Sequence, residues 1–317
     1  MHRRTLLASG PALLAAPAIA QPRSLRMIVT FPPGGSTDIL GRLLVPVMER
    51  ELGANIVVEN RGGANGAIGM AALAQAAPDG LTFALDAGGA TTNPHLMRGL
   101  GVDYATQVTP VTQATILPAL LIVRGDSPIR DFPAFVQHLR ANPGRESYGS
   151  SGVGTGSHLA GALLMRRANL QATHVPYRGG ADQLNSIRRG DTMFTFSTIP
   201  TIAALIRDGA MRPLVGAAPA RTHAYPEVPT VAESGYPGFS IFDFHSFWMP
   251  AGVPAEAVQR LAGAVRAATA DADLRPRLLQ LGLEPHAEGP EAFAAFVRTR
   301  HAEMAELIRA EGIRLET

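Results

Sequence analysis

Hydrophobic and polar positions along this chain form short apolar runs that alternate with stretches of helical spacing. Leu25–Phe31 reads as a strand, and Ser36–Leu52 carries apolar residues at helical intervals. The alternation continues through Asn55–Val58 (strand), Gly66–Ala77 (helix) and Leu81–Leu85 (strand). After a gap come Ile116–Val123 (strand), Asp131–Ala141 (helix), Glu146–Tyr148 (strand), His158–Ala168 (helix), Thr173–Val175 (strand) and Ala181–Arg188 (helix). Strands at Thr192–Phe196 and Leu214–Ala217 flank a helix at Thr201–Arg207. This β-α order predicts an α/β fold of parallel sheets covered by helices. From Pro254 the pattern changes to three helices, Ala255–Ala270, Leu274–Leu281 and Pro290–Ala310, with Pro254 and Pro290 suited to first turns and Gly282 and Gly312 to ends. The Pro-rich stretches Asp103–Gln113 and Ala218–Phe239 predict two crossings between lobes, as a hinged clamshell requires.

The amino terminus predicts export. Arg3-Arg4 precedes the apolar run Leu6–Ile19, and Ala18-Ile19-Ala20 fits a small-residue cleavage site before Gln21. Residues 1–20 therefore read as a signal peptide, of either the ordinary secretory or the twin-arginine kind. The formal charge of +2 is carried by Arg3 and Arg4, so the mature chain is neutral, which argues against nucleic acid or an anionic membrane as partner. The absence of cysteine excludes disulfides, thiol catalysis and Cys-ligated metals. Lysine is absent too, which excludes Schiff-base chemistry and the P-loop lysine. No His-x₃-His or His-Glu-x-x-His pattern offers a metal site, and no cofactor is expected.

Two glycine-rich turns carry the candidate chemistry. The first, Phe31-Pro32-Pro33-Gly34-Gly35-Ser36-Thr37-Asp38, follows the first strand; the second, Gly149 to His158, precedes an Ala/Leu-rich helix. Such a turn leaves backbone N–H groups at the positive end of a helix, ready to hold an anion. In the first turn, Ser36 serves as a plain N-cap, or the N–H groups of residues 34–38 face a cleft with the Ser36 and Thr37 hydroxyls. Asp38 would repel an anion, so it bonds within the turn or meets an ammonium group on the ligand. In the second turn Ser150, Ser151, Thr155 and Ser157 supply donors around Gly154. Its spacing approaches a dinucleotide fingerprint, but no acidic residue follows Thr173–Tyr177. Ser157-His158 suggests a hydrolase, yet adjacent residues seldom place a nucleophile on its base, and Gly-x-Ser-x-Gly is absent. Trp248 and Phe242–Phe247 form the only aromatic cluster and read as core or interlobe packing rather than ligand contact.

These motifs, taken in order, resemble the extracytoplasmic solute receptors of tripartite tricarboxylate transporters, the Bug or TctC-like proteins. The similar segments are Ile28–Asp38, Val57–Gly66, Ala77–Thr82, Ser150–Gly161, His174–Gly180, Val228–Tyr236 and Pro250–Pro254. The resemblance implies a two-lobed periplasmic binding protein fold of the second, Venus-flytrap type, without catalysis. It places residues 21–108 plus 221–317 in lobe 1 and residues 109–220 in lobe 2. The implied site for a small organic carboxylate comprises Phe31, Gly34, Gly35, Ser36, Thr37, Asp38, Thr91, Asn93, Ser150, Ser151, Gly154, Thr155, Ser157, His158, Ser197 and Thr198. The implied partner is a two-part membrane permease, with the receptor periplasmic and monomeric.

The chain departs from the family pattern at two places. Members carry Asp near Met193 and Asp or Asn near Ser197 or Thr198; the Trp before the Pro250 motif is replaced around Phe244-His245, with Trp248 shifted along. A less polar wall there points to a monocarboxylate or aromatic acid rather than an amino acid. The alternatives are a sensor of the same fold serving a signalling partner, and a hydrolase using Ser157 or His158.

Overall fold

A computed structural model describes residues 24–310; the expected leader at 1–20 lies outside the described residues. Along the chain the elements begin β1 (Leu25–Val29), α1 (Ser36–Leu52), β2 (Ile56–Asn60), α2 (Ala67–Ala74), β3 (Thr82–Asp86), α3 (Gly89–Leu96) and β4 (Val108–Leu117). There follow β5 (Ala119–Arg124), α4 (Phe132–Ala141), β6 (Ser147–Ser150), α5 (Gly156–Arg167), β7 (Thr173–Pro176), α6 (Gly180–Arg189), β8 (Phe194–Thr198), α7 (Ile199–Arg207) and β9 (Met211–Gly216). The chain closes with β10 (Asp243–Pro250), α8 (Ala255–Ala270), α9 (Leu274–Gln280), β11 (Glu284–Pro285) and α10 (Pro290–Ala310).

Two sheets result, ordered β11-β4-β10-β3-β1-β2 and β7-β6-β8-β5-β9. Each is buried on both faces because successive residues of a strand point to opposite sides. In the first sheet Met27, Val29, Phe83, Leu85 and Phe247 feed the core under α1 and α8, while Ile28, Ala84, Phe244 and Trp248 feed the core that holds Phe293 of α10. In the second, Leu121 and Val123 face α4 and α5, and Leu120 and Ile122 face α6 and α7.

The sheets are mixed rather than wholly parallel. β1, β2 and β3 are parallel, as are β6, β7 and β8, but β10 runs antiparallel to β3 and β4, and β5 antiparallel to β8 and β9. The antiparallel strands are those on which the chain passes between the halves. The single strand expected over Ile116–Val123 is split at Pro118, which has no N–H for a ladder. Leu117 pairs within the first sheet and Ala119 within the second. The expected boundaries move accordingly. Residues 109–117 belong to β4 of the first sheet, so that Val108–Gln113 of the expected crossing is strand, not linker.

The second passage also lies later than 220. Val231, Phe239 and Ile241 pack into the core of the second sheet, and the chain re-enters the first only at Asp243. The two passages are laced together: the Ala217 N–H donates to Ala119 O (2.9 Å), and the Ile241 N–H to Ala217 O (2.9 Å). α10 straps both halves, with Phe293 in the first core and Met304 and Ile308 in the second.

Candidate functional site

A cavity of about 280 Å³ lies between the sheets, floored by Leu117, Ala119 and Asp243 where the chain changes halves. A groove of about 670 Å³ along Gly62, Gly63, Val153 and Tyr177 continues it outward. Three helices of eight or more residues start in its wall with no side chain capping them: α1 behind Gly35, α6 behind Gly179 and α7 behind Thr198. Each start leaves N–H donors without an intrahelical acceptor, at the positive end of the helix dipole. Aimed at one cavity, they are neutral donors of the kind that can hold an anion.

The first turn is built for this. Its N-cap is Gly35, in extended conformation (φ −79°, ψ 167°), and not Ser36. Gly35, Ser36 and Thr37 line the cavity beside Phe31, whereas Gly34 and Asp38 do not. Gly34 takes φ +80° and donates its N–H to Asp38 Oδ2 (3.0 Å). Asp38 Oδ1 accepts from Arg42 Nε (3.0 Å) and Asn60 Nδ2 (3.0 Å), so the carboxylate staples the turn from behind. Burial raises its pKa, but the bonds from Arg42, Gly34 and Asn60 outweigh burial and hold it below the usual carboxylate range.

The second turn works differently from expectation, because several of its N–H groups are already used. Ser151 N donates to Ser157 Oγ (3.0 Å), Gly154 N to His158 Nδ1 (3.1 Å), and Gly156 N to the Asp243 carboxylate. What faces the cavity is a hydroxyl cluster: Ser157 Oγ lies 2.9 Å from Thr155 Oγ1 and 3.1 Å from Ser151 Oγ. Ser150, Gly154 and His158 sit behind it and do not line the cavity. Ser150 Oγ meets His174 Nε2 at 2.6 Å, and His158 stacks on His174 with centroids 3.9 Å apart. Ser157 thus bonds to hydroxyls, not to a base.

Ser197 and Thr198 line the opposite wall, Ser197 Oγ bonding Thr201 Oγ1 (3.0 Å). Thr91 and Asn93 stand behind the cavity. Asn93 Oδ1 accepts from Asn65 Nδ2 (2.9 Å) and Asn93 Nδ2 donates to Asn65 O (3.0 Å), while Thr91 Oγ1 donates to Gly88 O (2.9 Å). Asn65, which Asn93 holds, does line the cavity, and its Nδ2 also donates across the cleft to Gly154 O (3.3 Å).

Sequence reasoning missed Asn65, Arg178, Asp182, Gln183, Thr201 and Asp243 as lining residues. For Arg178 the signal existed, since it opens the Gly179-Gly180 turn ahead of α6. Asn65 sits in the Gly62–Gly66 motif. Asp243 lies among aromatic residues, where spacing carried no hint.

Burial lowers the pKa of His158 to about 4, of His174 to about 3 with help from His158, and of His245 to about 3. Their neutral forms add stability that is whole above the unfolded value of 6.5 and is lost as pH falls through about 4. Burial raises Asp86, and raises Asp243 to about 7 against the pull of Arg300, giving the opposite slope between about 4 and 7. Asp243→Asn removes one opposing group, so its melting temperature should rise more steeply with pH between 4 and 6.5 than that of the natural chain. Parallel profiles would contradict this assignment.

Residues 40–313 match the family described as tripartite tricarboxylate transporter family receptor. The chain belongs to that family. Its members are receptors, not enzymes, which overturns the hydrolase alternative for Ser157 and His158. The receptor is similar to the periplasmic binding protein BugD, at 31% identity and a TM-score of 0.87 over 92% of this chain and 98% of BugD. It is also similar to a Rhodopseudomonas palustris protein solved with adipate: 30% identity, TM-score 0.89, covering 92% of this chain and 98% of that one. A third similar structure is MatC of the same organism with bound malate, at 29% identity and TM-score 0.83 over 90% and 99%. Two-lobed periplasmic binding is therefore the architecture of this receptor.

Proposed function

We propose that this receptor captures a small organic carboxylate between its halves outside the cytoplasm and delivers it to a two-component permease of the tripartite tricarboxylate type. The observation that carries the reading is the convergence of three uncapped helix starts, α1, α6 and α7, on one cavity with the Ser151, Thr155 and Ser157 hydroxyls. N–H and O–H donors held by a rigid frame neutralise an anion without a buried cation. Adipate and malate, bound by two similar proteins, are acids of the size this cavity admits. The receptor acts as a monomer, and the bound acid favours closure by its greater affinity for the closed form.

The test is a melting-temperature screen of the mature protein against carboxylic acids. An acid at a hundred times its Kd stabilises by about 2.7 kcal/mol, a shift of several degrees; a flat response across mono-, di- and tricarboxylates rejects the reading. Arg178 is exposed at the mouth and, among the described residues, pairs with no carboxylate. Arg178→Ala should weaken capture about two- to fivefold at low salt, with the loss fading by about 0.5 M. A loss independent of salt in calorimetric titration would mean direct, desolvated contact instead.

A further inference from the structure

We propose that Asp243 selects the ligand: at the cavity floor it favours acids with a hydroxyl or ammonium donor beyond the captured carboxylate, over acids with a second carboxylate there. This rests on the carboxylate-capture reading and adds the ligand class.

The turn around Asp243 is built to hold a carboxyl group. A Cβ at Gly156 would lie 2.3 to 2.5 Å from Asp243 Oδ2, Oδ1 and Cγ, so only glycine lets the side chain seat on the first N–H of α5. The protein has placed its own acid where a ligand carboxylate would otherwise sit. Three groups face it from the surrounding elements: the Gly156 N–H of α5, Arg300 of α10 and Asp86 of β3. Arg300 is committed elsewhere, its Nη2 donating to Phe242 O (3.2 Å) and its Nη1 to Glu303 Oε2 (3.1 Å). Asp86 is held by Thr30 Oγ1 (2.7 Å) and the Ala90 N–H (3.2 Å). Among the described residues no cation lies within 4 Å of Asp243, so its oxygens keep acceptor capacity toward the cavity.

A half-buried acceptor with spare capacity gains from a donor and is penalised by a like charge where water is largely excluded. A hydroxyl or ammonium on the ligand supplies that donor. A second carboxylate must arrive protonated or find Asp243 protonated, and burial beside Asp86 eases the latter as pH falls through about 7.

The experiment is calorimetric titration of the mature protein at pH 8 with chain-matched acids: butanoate, 4-hydroxybutanoate, 4-aminobutanoate and succinate, then the six-carbon equivalents with adipate. The natural chain should bind the hydroxy or amino member at least about tenfold more tightly than the dicarboxylate of equal length, the size of one charge-assisted hydrogen bond. Asp243→Asn should cut that ratio to about threefold or less. Should the variant not fold, the natural chain decides alone, because its discrimination should narrow between pH 8 and pH 6. A preference for dicarboxylates at pH 8, a ranking unmoved by Asp243→Asn, or one unmoved by pH overturns the assignment of Asp243 while carboxylate capture stands. Failure of every acid to bind rejects capture itself and this inference with it.

Discussion

Ser36→Pro is expected to leave stability nearly unchanged while weakening carboxylate capture about 10- to 100-fold. Ser36 is the first residue of α1, where the N–H has no intrahelical acceptor and proline is well tolerated. Gly35 before it is already extended (φ −79°, ψ 167°), the conformation a following proline demands. The substitution therefore removes one backbone donor and one hydroxyl from the cavity wall without disturbing the helix behind them. A hydrogen bond to a charged group contributes about 1.5–3 kcal/mol, which sets the size of the loss. Titration with the best acid of the panel, beside a denaturation curve without ligand, separates the two effects. Unchanged affinity would show that the α1 start is not part of the cradle, and the capture reading would lose its main support.

Much of the frame was legible because it rests on local physics. α1, α8 and α10 begin where helical spacing, Pro254 and Pro290 place them, and α9 stops just short of Gly282, while the expected end at Gly312 lies outside the described residues. The buried strands β1 and β3 announce themselves as short apolar runs. What stayed hidden was set by long-range pairing. β10 reads as a patch of aromatic residues, but its alternation sends Phe247 and Met249 to one core and Phe244 and Trp248 to the other. β4 contains Pro110 and polar residues, and only its partners β10 and β11 make it a strand. α3, with its internal Pro94 and Gly89 start, has too little periodicity to stand out.

The candidate site divides the same way. Gly35, Ser36, Thr37, Ser151, Thr155 and Ser157 were reachable, because glycine-rich turns between strand and helix expose donors wherever they occur. Which N–H groups remain open could not be read from spacing. Asp243 is 87 residues beyond Gly156, and nothing local says that its carboxylate occupies the start of α5. In the same way Asn93 lies 28 residues beyond Asn65, the residue it holds at the cavity wall. Sequence singled out the starts of α1 and α5; tertiary structure turns those of α1, α6 and α7 toward the cavity.

Phe293→Ala should destabilise the protein by about 3–5 kcal/mol, the range for emptying a buried aromatic site. Phe293 is fully buried, its ring 5.6 Å from Trp248 in edge contact and 6.4 Å from Phe244. Its position makes the effect global. The same helix carries Arg300, whose guanidinium stacks 4.6 Å above Phe242 and bonds Phe242 O at the second passage between halves. Further on, Met304 and Ile308 enter the core of the other sheet. Met304→Ala should cost about 2–5 kcal/mol on its own. The two sites lie 11 residues apart, about 16 Å along a helix, where independent substitutions add within about 0.5 kcal/mol. Urea denaturation of both single variants and the double variant tests this. A double loss well below the sum would mean that undocking one end of α10 already frees the other, so that the strap releases both halves as a unit. Additive losses would mean that each core grips its end of the helix separately, leaving the passages at Pro118 and Phe242 as the place where the halves move.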